Sequence, residues 1–124
     1  MLIRFATLEA DADSTHSTGL LVAAHTLRDE GNITRQEHAE LREMLCWFNE
    51  NLHVPAVLAE TEHRRAISWF KPAAEEAIQR MWQLKILLEL HGVNVKVLRT
   101  DEPGTVVHED DCQVVAKPPK GRRF

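Results

Sequence analysis

The sequence predicts an α+β fold, with three helices packed on a mixed or antiparallel sheet of about four to five strands. Three observations support this prediction. A β-branched and aromatic segment opens the chain, two amphipathic helical patterns follow it, and residues 64–116 alternate between a strand, a helix and three further strand patterns. The resulting order is β-α-α-β-α-β-β-β, and helices packed over one face of the sheet are the simplest arrangement of these elements.

The first strand and the first helix are predicted from residue types and from terminal signals. Residues 2–8 are rich in apolar and β-branched side chains, as strands are. A polar loop follows, after which Ser17 or Thr18 can cap a helix over residues 19–30. Gly31 ends that helix, since glycine is common just beyond a helix C-terminus.

A capping box predicts the start of the second helix. Glu37 follows Thr34 by three residues, so that each side chain can bind the backbone N–H of the other residue. The helix runs to about Asn51, with apolar side chains at core spacing. Residues 53–63 contain Pro55 and have no clear period, which indicates a connection.

The third helix is predicted between a short strand at residues 66–70 and a glycine. Lys71-Pro72 opens it, because proline lacks only an N–H that the first helical turn leaves unpaired. Gly92 ends it after His91. Apolar residues cover most of its circumference, which is typical of a helix that is buried on two sides or covered by a partner subunit.

Three short strands complete the predicted sheet. Valines alternate from Val93 to Val97, and Pro103-Gly104 then turns the chain. Residues 105–107 and 112–115 are predicted to pair as a hairpin around residues 108–111. The connection through the third helix forms either a right-handed parallel crossover or an antiparallel step within a larger sheet, and the sequence leaves both open.

Length and charge predict one domain with a distinct tail. With 124 residues, of which 44% are hydrophobic and 27% charged, the chain can form a single domain over residues 1–116. The net charge of −4 argues against a general nucleic-acid binder, which needs a basic face. Residues 117–124 are basic and contain proline, so we expect an extended, mobile tail that solubilises the protein or contacts nucleic acid, an acidic partner or a membrane surface.

Cysteine use and hydropathy predict a cytoplasmic protein. Cys46 and Cys112 lack C-x-x-C spacing, so we expect two buried reduced thiols, with a structural disulfide as the alternative. The most apolar run, residues 81–90, is interrupted by polar side chains and is too short to span a membrane, and no apolar leader precedes a cleavage site. No cofactor is predicted, and no metal is predicted because the histidines have no recognised motif spacing; a metal site built from histidines far apart in the sequence stays open.

Four consecutive residues, His108, Glu109, Asp110 and Asp111, form a candidate acidic cluster. Crowded carboxylates repel one another, which raises a pKa for acid–base work or favours a hard cation. The same residues also suit a solvated hairpin turn, in which aspartate is a preferred residue.

A second candidate site is basic. Arg64, Arg65 and Lys71 flank a predicted strand and precede a helix N-terminus, an arrangement that can bind phosphate or carboxylate. The alternative is that these are ordinary solvated charges, since Pro72 removes one backbone donor and no glycine-rich loop lies nearby.

Large apolar residues indicate a candidate subunit interface. Trp69 and Phe70 are adjacent on a strand and must face opposite sides, so one of them covers a second layer or lies exposed. Trp69, together with Trp82, Ile86 and Leu90 of the third helix, therefore predicts a homodimer interface.

Several segments resemble a family of small bacterial proteins that share a domain of unknown function: Ala66-Ile67-Ser68-Trp69-Phe70-Lys71, His91-Gly92-x-x-Val95, Thr100-x-x-Pro103-Gly104, Glu109-Asp110-x-x-Gln113-Val114-Val115-Ala116-x-Pro118, and residues 47–52. The resemblance implies no activity. In the family pattern, an acidic residue stands where this chain has Pro72, and a tyrosine stands where it has His108. The pattern also ends soon after the position of Pro118. Two of these differences fall on the candidate sites, which weakens the case for catalysis at either.

Two functions are predicted from these observations. The first is a small cytoplasmic binding protein that acts as a homodimer through residues 65–116. The alternative is a small enzyme or ligand-binding domain for a phosphorylated or nucleotide-like molecule, in which Arg65 and Lys71 hold the anion and Glu109 or Asp110 acts as a base or metal ligand. The alternative requires the 109–110 turn to lie near the start of the third helix.

Overall fold

In a computed structural model, described for residues 1–10, 17–52, 66–120 and 124, the chain forms an antiparallel sheet with three helices. This is the α+β class predicted from the sequence, in the predicted order with one short strand added. The elements are β1 (Leu2–Ala10), β2 (Ser17–Gly19), α1 (Leu20–Glu30), α2 (Arg35–Asn51), β3 (Ile67–Phe70), α3 (Glu75–Leu90), β4 (Val95–Thr100), β5 (Thr105–Glu109) and β6 (Gln113–Lys117).

The strand order across the sheet is β5, β6, β3, β1 and β4, and every neighbouring pair is antiparallel. Ile3 of β1 lies opposite Arg99 of β4 and also opposite Phe70 of β3, so these strands flank β1 on its two edges. The short β2 shares the β3 edge of β1. Because β3 and β4 both run against β1, they are parallel to each other, and α3 crosses over β1 between them.

Two predicted helix starts are wrong. Neither Ser17 nor Thr18 caps α1, because both belong to β2, and the N-cap position is Gly19 without a side-chain hydrogen bond. Pro72 does not open α3, which begins three residues later. The Lys71 N–H instead donates to the Cys112 carbonyl oxygen at 2.8 Å, which continues the strand pairing past Phe70 and delays the helix.

The predicted capping box of α2 is confirmed. The Glu37 N–H donates to Thr34 Oγ1 at 3.1 Å, and the Thr34 N–H donates to Glu37 Oε1 at 3.0 Å. These bonds satisfy two backbone donors that the first turn would otherwise leave unpaired.

The end of α3 at Gly92 is also confirmed. Gly92 has a φ of +83°, which favours glycine, and its N–H donates to the Glu89 carbonyl oxygen. The Val93 N–H donates to the Leu88 carbonyl oxygen, which completes a Schellman motif and turns the chain toward β4.

Two apolar clusters lie on the two faces of the sheet. The larger one packs the three helices on β1, β3 and β4, and its core includes Phe5, Leu41 and Leu88. The smaller one, on the opposite face, contains Ile67, Trp69 and Phe124, with Leu2 and Leu98 packed against it. Phe124 is therefore buried, although residues 117–124 were expected to form a mobile tail.

Candidate functional site

Asp110 organises the turn between β5 and β6. Its Oδ1 accepts the N–H groups of Cys112 at 2.9 Å and Gln113 at 3.0 Å. Its Oδ2 accepts Gln113 Nε2 at 3.0 Å and lies 3.0 Å from His108 Nε2. A turn is thus present and the Asp110 carboxylate holds it together, but it covers residues 110–112 rather than the predicted 108–111. His108 and Glu109 belong to β5, where they pair with Val115 and Val114 of β6.

The same contacts change the acidity of Asp110. Partial burial by itself would raise its pKa, but the hydrogen bonds from His108, Cys112 and Gln113 together outweigh burial and lower the pKa to about 2. A general base needs a pKa nearer the operating pH. The Asp110 carboxylate is therefore suited to holding a turn and poorly suited to taking a proton.

The hydrogen-bond network extends from the turn to the neighbouring strand. The buried Gln113 side chain donates to Asp110 through Nε2, and its Oε1 accepts the Ser68 hydroxyl at 2.7 Å. A serine nucleophile needs a base that takes its proton, and an amide oxygen is not one. Ser68 therefore links β3 to β6 through this network and is not activated by it.

Lys71 lies beside the acidic cluster. Its Nζ is 2.9 Å from Glu109 Oε2, and the exposed carboxylate and the partly buried ammonium neutralise each other. The 109–110 turn therefore does lie near the start of α3, as the alternative function requires. Arg64 and Arg65 lie outside the described residues, and Asp111 is exposed. Of the predicted anion-binding set, only Lys71 is placed, and it is paired.

Metal ligands do not converge in the part of the chain that is described. Within residues 1–10, 17–52, 66–120 and 124, no group of three or more histidine, cysteine or carboxylate side chains could hold a metal ion. Both cysteines are free thiols, as expected, but the predicted burial is wrong: Cys46 is exposed and Cys112 is half-buried. The nearby Glu50 carboxylate raises the pKa of Cys46, so this thiol is a weak nucleophile.

Three of the predicted interface residues form an exposed stripe on α3. Trp82 is 37% exposed, Ile86 59% and Leu90 75%, and their spacing of four residues places them along one side of the helix. The Trp82 ring also meets the Phe5 ring edge-on, with centroids 5.2 Å apart, which fixes its orientation. We refer to these three residues as the α3 stripe.

Trp69, the fourth predicted interface residue, is not available to a partner. It is fully buried within its own chain, with the Phe124 ring packed edge-to-face at a centroid distance of 4.7 Å. Trp69 and Phe70 do face opposite sides of the sheet, and Phe124 supplies the second layer over Trp69. The prediction was wrong at this residue because the covering side chain is 55 positions away in the sequence.

Two features of the structure were not predicted from the sequence. Glu37 Oε2 lies 2.6 Å from His91 Nε2, which joins the start of α2 to the end of α3. Hydrogen bonds with Thr34 chiefly lower the pKa of Glu37 against the effect of burial, and His91 adds to the lowering. The capping box identified Glu37, but no local signal indicates what its second oxygen binds.

The other feature is a cavity of about 590 Å³ between β1, α1 and the turn after α3. Its walls include Leu8, Val22, Leu27 and Val93, with threonine hydroxyls among them. Its size lies in the range of small-molecule sites. Among the described residues that line the cavity, Glu30 is the single ionisable one, so these residues supply no pair of groups for acid–base chemistry.

Comparisons with protein-family models, with curated proteins and with solved structures find no match to this chain. The resemblance to a small bacterial family therefore stays a prediction. No described helix has the length and apolar character needed to cross a membrane.

Proposed function

We propose that this chain is a small binding protein that acts as a homodimer, with two copies paired through the α3 stripe. The observation that carries the proposal is that Trp82, Ile86 and Leu90 line one side of a helix and are all exposed. Contiguous apolar residues on a soluble surface are typical of an interaction site.

The spacing of the stripe suits a second copy of the same chain. Trp82 and Leu90 lie four residues before and after Ile86. A two-fold axis through Ile86, with the helices antiparallel, packs Ile86 on its counterpart and Trp82 on Leu90 of the other copy. Such an isologous contact uses the same patch on both copies and packs a large side chain against a smaller one.

The surroundings of the stripe carry little unpaired charge. Gln79 and Gln83 border it on one side and are uncharged. On the other side, Lys85 Nζ lies 2.7 Å from Glu89 Oε1, so this pair is neutral within its own helix. Depletion of charge is the compositional signal of the centre of an interface.

The helix is a better candidate for this contact than the edge of the sheet. Among the described strands, β4 and β5 lie at the two ends of the strand order and so have open edges. β4 carries Lys96 and Arg99, and β5 contains a bulge between Val106 and His108. Charged side chains and bulges on an edge strand both oppose strand-to-strand association. The three side chains of the α3 stripe are uncharged, and the Lys85 ammonium that lies 5.6 Å from the Trp82 ring centroid is paired with Glu89.

The alternative function, an enzyme or binding domain for a phosphorylated molecule, has less support. Lys71 is neutralised by Glu109, and the Asp110 oxygens accept hydrogen bonds within the turn. A phosphate would have to displace Glu109 from Lys71 before it could bind.

Sedimentation equilibrium of three proteins tests the proposal. We expect the wild-type chain to sediment at twice its mass of 14.2 kDa at micromolar concentrations. Ile86→Glu places a charge at the centre of the stripe, so this variant should sediment as a monomer with unchanged helix content. Val22→Glu introduces the same charge at an exposed valine of α1 and should leave the dimer intact. A monomeric wild type, or equal effects of both variants, would reject the proposal.

A further inference from the structure

The face of the sheet opposite the helices carries a small apolar cluster that is closed by Phe124. Trp69 of β3 is fully buried there, and the Phe124 ring meets it at an interplanar angle of 88°. Leu2 of β1 and Leu98 of β4 pack against the pair from the neighbouring strands. An aromatic side chain far along the sequence thus fills a depression made by three strands.

A buried arginine binds the main chain of the same residue. Arg4 is only 6% exposed, and its Nη1 donates to the Phe124 main-chain oxygen at 2.8 Å. A buried guanidinium requires acceptors, and a charge-assisted hydrogen bond to oxygen is among the strong ones. The depression therefore contacts both the ring and the main chain of residue 124.

One donor in this depression is unused among the described residues. Trp69 Nε1 is buried and has no hydrogen-bond partner. Buried indole N–H groups usually find an acceptor, because leaving one unpaired costs its desolvation. Phe124 therefore fills the depression without supplying an acceptor to this N–H.

We propose that this depression is a binding site for a peptide that ends in phenylalanine with a free carboxylate. The ring of the ligand packs on Trp69, and Arg4 binds the carboxylate. The chain's own Phe124 fills the site in the structure and must leave before such a ligand enters. We name the site the outer socket, formed by Leu2, Arg4, Ile67, Trp69 and Leu98.

The test uses the full-length Phe124→Ala variant, which removes the ring but keeps the chain. The probe is N-acetylphenylalanine with a free carboxylate, and the readout is the indole N–H resonance of Trp69. We expect a saturable shift in Phe124→Ala, and about tenfold or more weaker binding to the wild type, because its own Phe124 competes. N-acetylalanine should produce no shift at the same concentration.

Two further measurements separate ring recognition from carboxylate recognition and from exchange between copies. N-acetylphenylalanine amide should bind more weakly than the free acid, and Arg4→Met combined with Phe124→Ala should abolish that difference. Phe124→Leu serves in place of Phe124→Ala if the latter does not fold. No saturable shift, or equal binding to wild type and Phe124→Ala, would overturn the proposal. So would a change of sedimentation mass in Phe124→Ala, since Phe124 would then bridge two copies.

Discussion

Asp110 is the residue on which the β5–β6 turn depends most. Asp110→Ala leaves the N–H groups of Cys112 and Gln113 and the Gln113 amide without this acceptor. We expect the free energy of unfolding to fall by about 1–3 kcal/mol, the cost of unpaired buried donors. Urea unfolding measures the change. Asp111→Ala, at the exposed neighbour, is the control, and an equally large loss there would contradict the assigned role of Asp110.

The lowered pKa of Asp110 predicts a specific loss of stability in acid. Its pKa is about 2 when folded, against 3.8 for an ordinary aspartate. The ionised form therefore stabilises the fold above about pH 4, and this contribution disappears as the pH falls through 2. After allowance for its partial exposure, we expect it to amount to about 1–2 kcal/mol. The free energies of unfolding of the wild type and of Asp110→Ala should differ least at pH 2. A difference in free energy that does not change with pH would refute this assignment.

For a single residue, the sequence predicts the role of the side chain better than it predicts which distant residues that side chain contacts. Aspartate is a preferred turn residue, so the turn at Asp110 could be predicted from the chain alone. Gln113 could not be identified as its partner, since glutamine has no comparable local preference. Trp69 was misassigned for the same reason, because burial by Phe124 depends on the folded chain.

Among the elements, two glycines with positive φ offer a matched comparison. Gly92 has φ +83° with open space where a Cβ would lie, so Gly92→Ala should cost only the backbone strain of about 1–2 kcal/mol. At Gly104, with φ +110°, a Cβ would collide with the Lys117 carbonyl oxygen. Gly104→Ala should therefore cost roughly 1–3 kcal/mol more, since the strand beside it must shift. Thermal unfolding compares the two, and a smaller loss at Gly104 would contradict the register of β5 on β6.

The helix boundaries illustrate how far local signals reach. The capping box of α2 and the glycine after α3 involve residues within a few positions, and both predictions were confirmed. The start of α3 was predicted three residues too early, because the Lys71 N–H binds Cys112 in a distant turn. A hydrogen bond across the fold overrode the preference of Pro72 for the first helical turn.

For the whole molecule, the predicted order of helices and strands determined the fold class but not the order of the strands in the sheet. Alternation of strand and helix patterns predicted an α+β fold, and the structure confirms it. The placement of β1 between β3 and β4 could not be predicted, since it depends on pairings between residues about 70 to 100 positions apart, such as Ile3 with Phe70 and Arg99. Among the candidate site residues, Lys71 and Glu109 do lie in contact. The sequence did not predict that they form an ion pair with each other, because they are far apart along the chain.

Intermolecular NMR contacts between isotope-labelled and unlabelled copies test the proposed homodimer most directly. A two-fold axis through Ile86 predicts contacts between the Trp82 ring of one copy and the Leu90 methyl groups of the other, and between the two Ile86 side chains. The same spectra of Ile86→Glu should lose every one of these contacts. If the wild type shows no intermolecular contact at α3 at a concentration where it sediments as a dimer, or if it remains a monomer throughout, the central proposal is wrong.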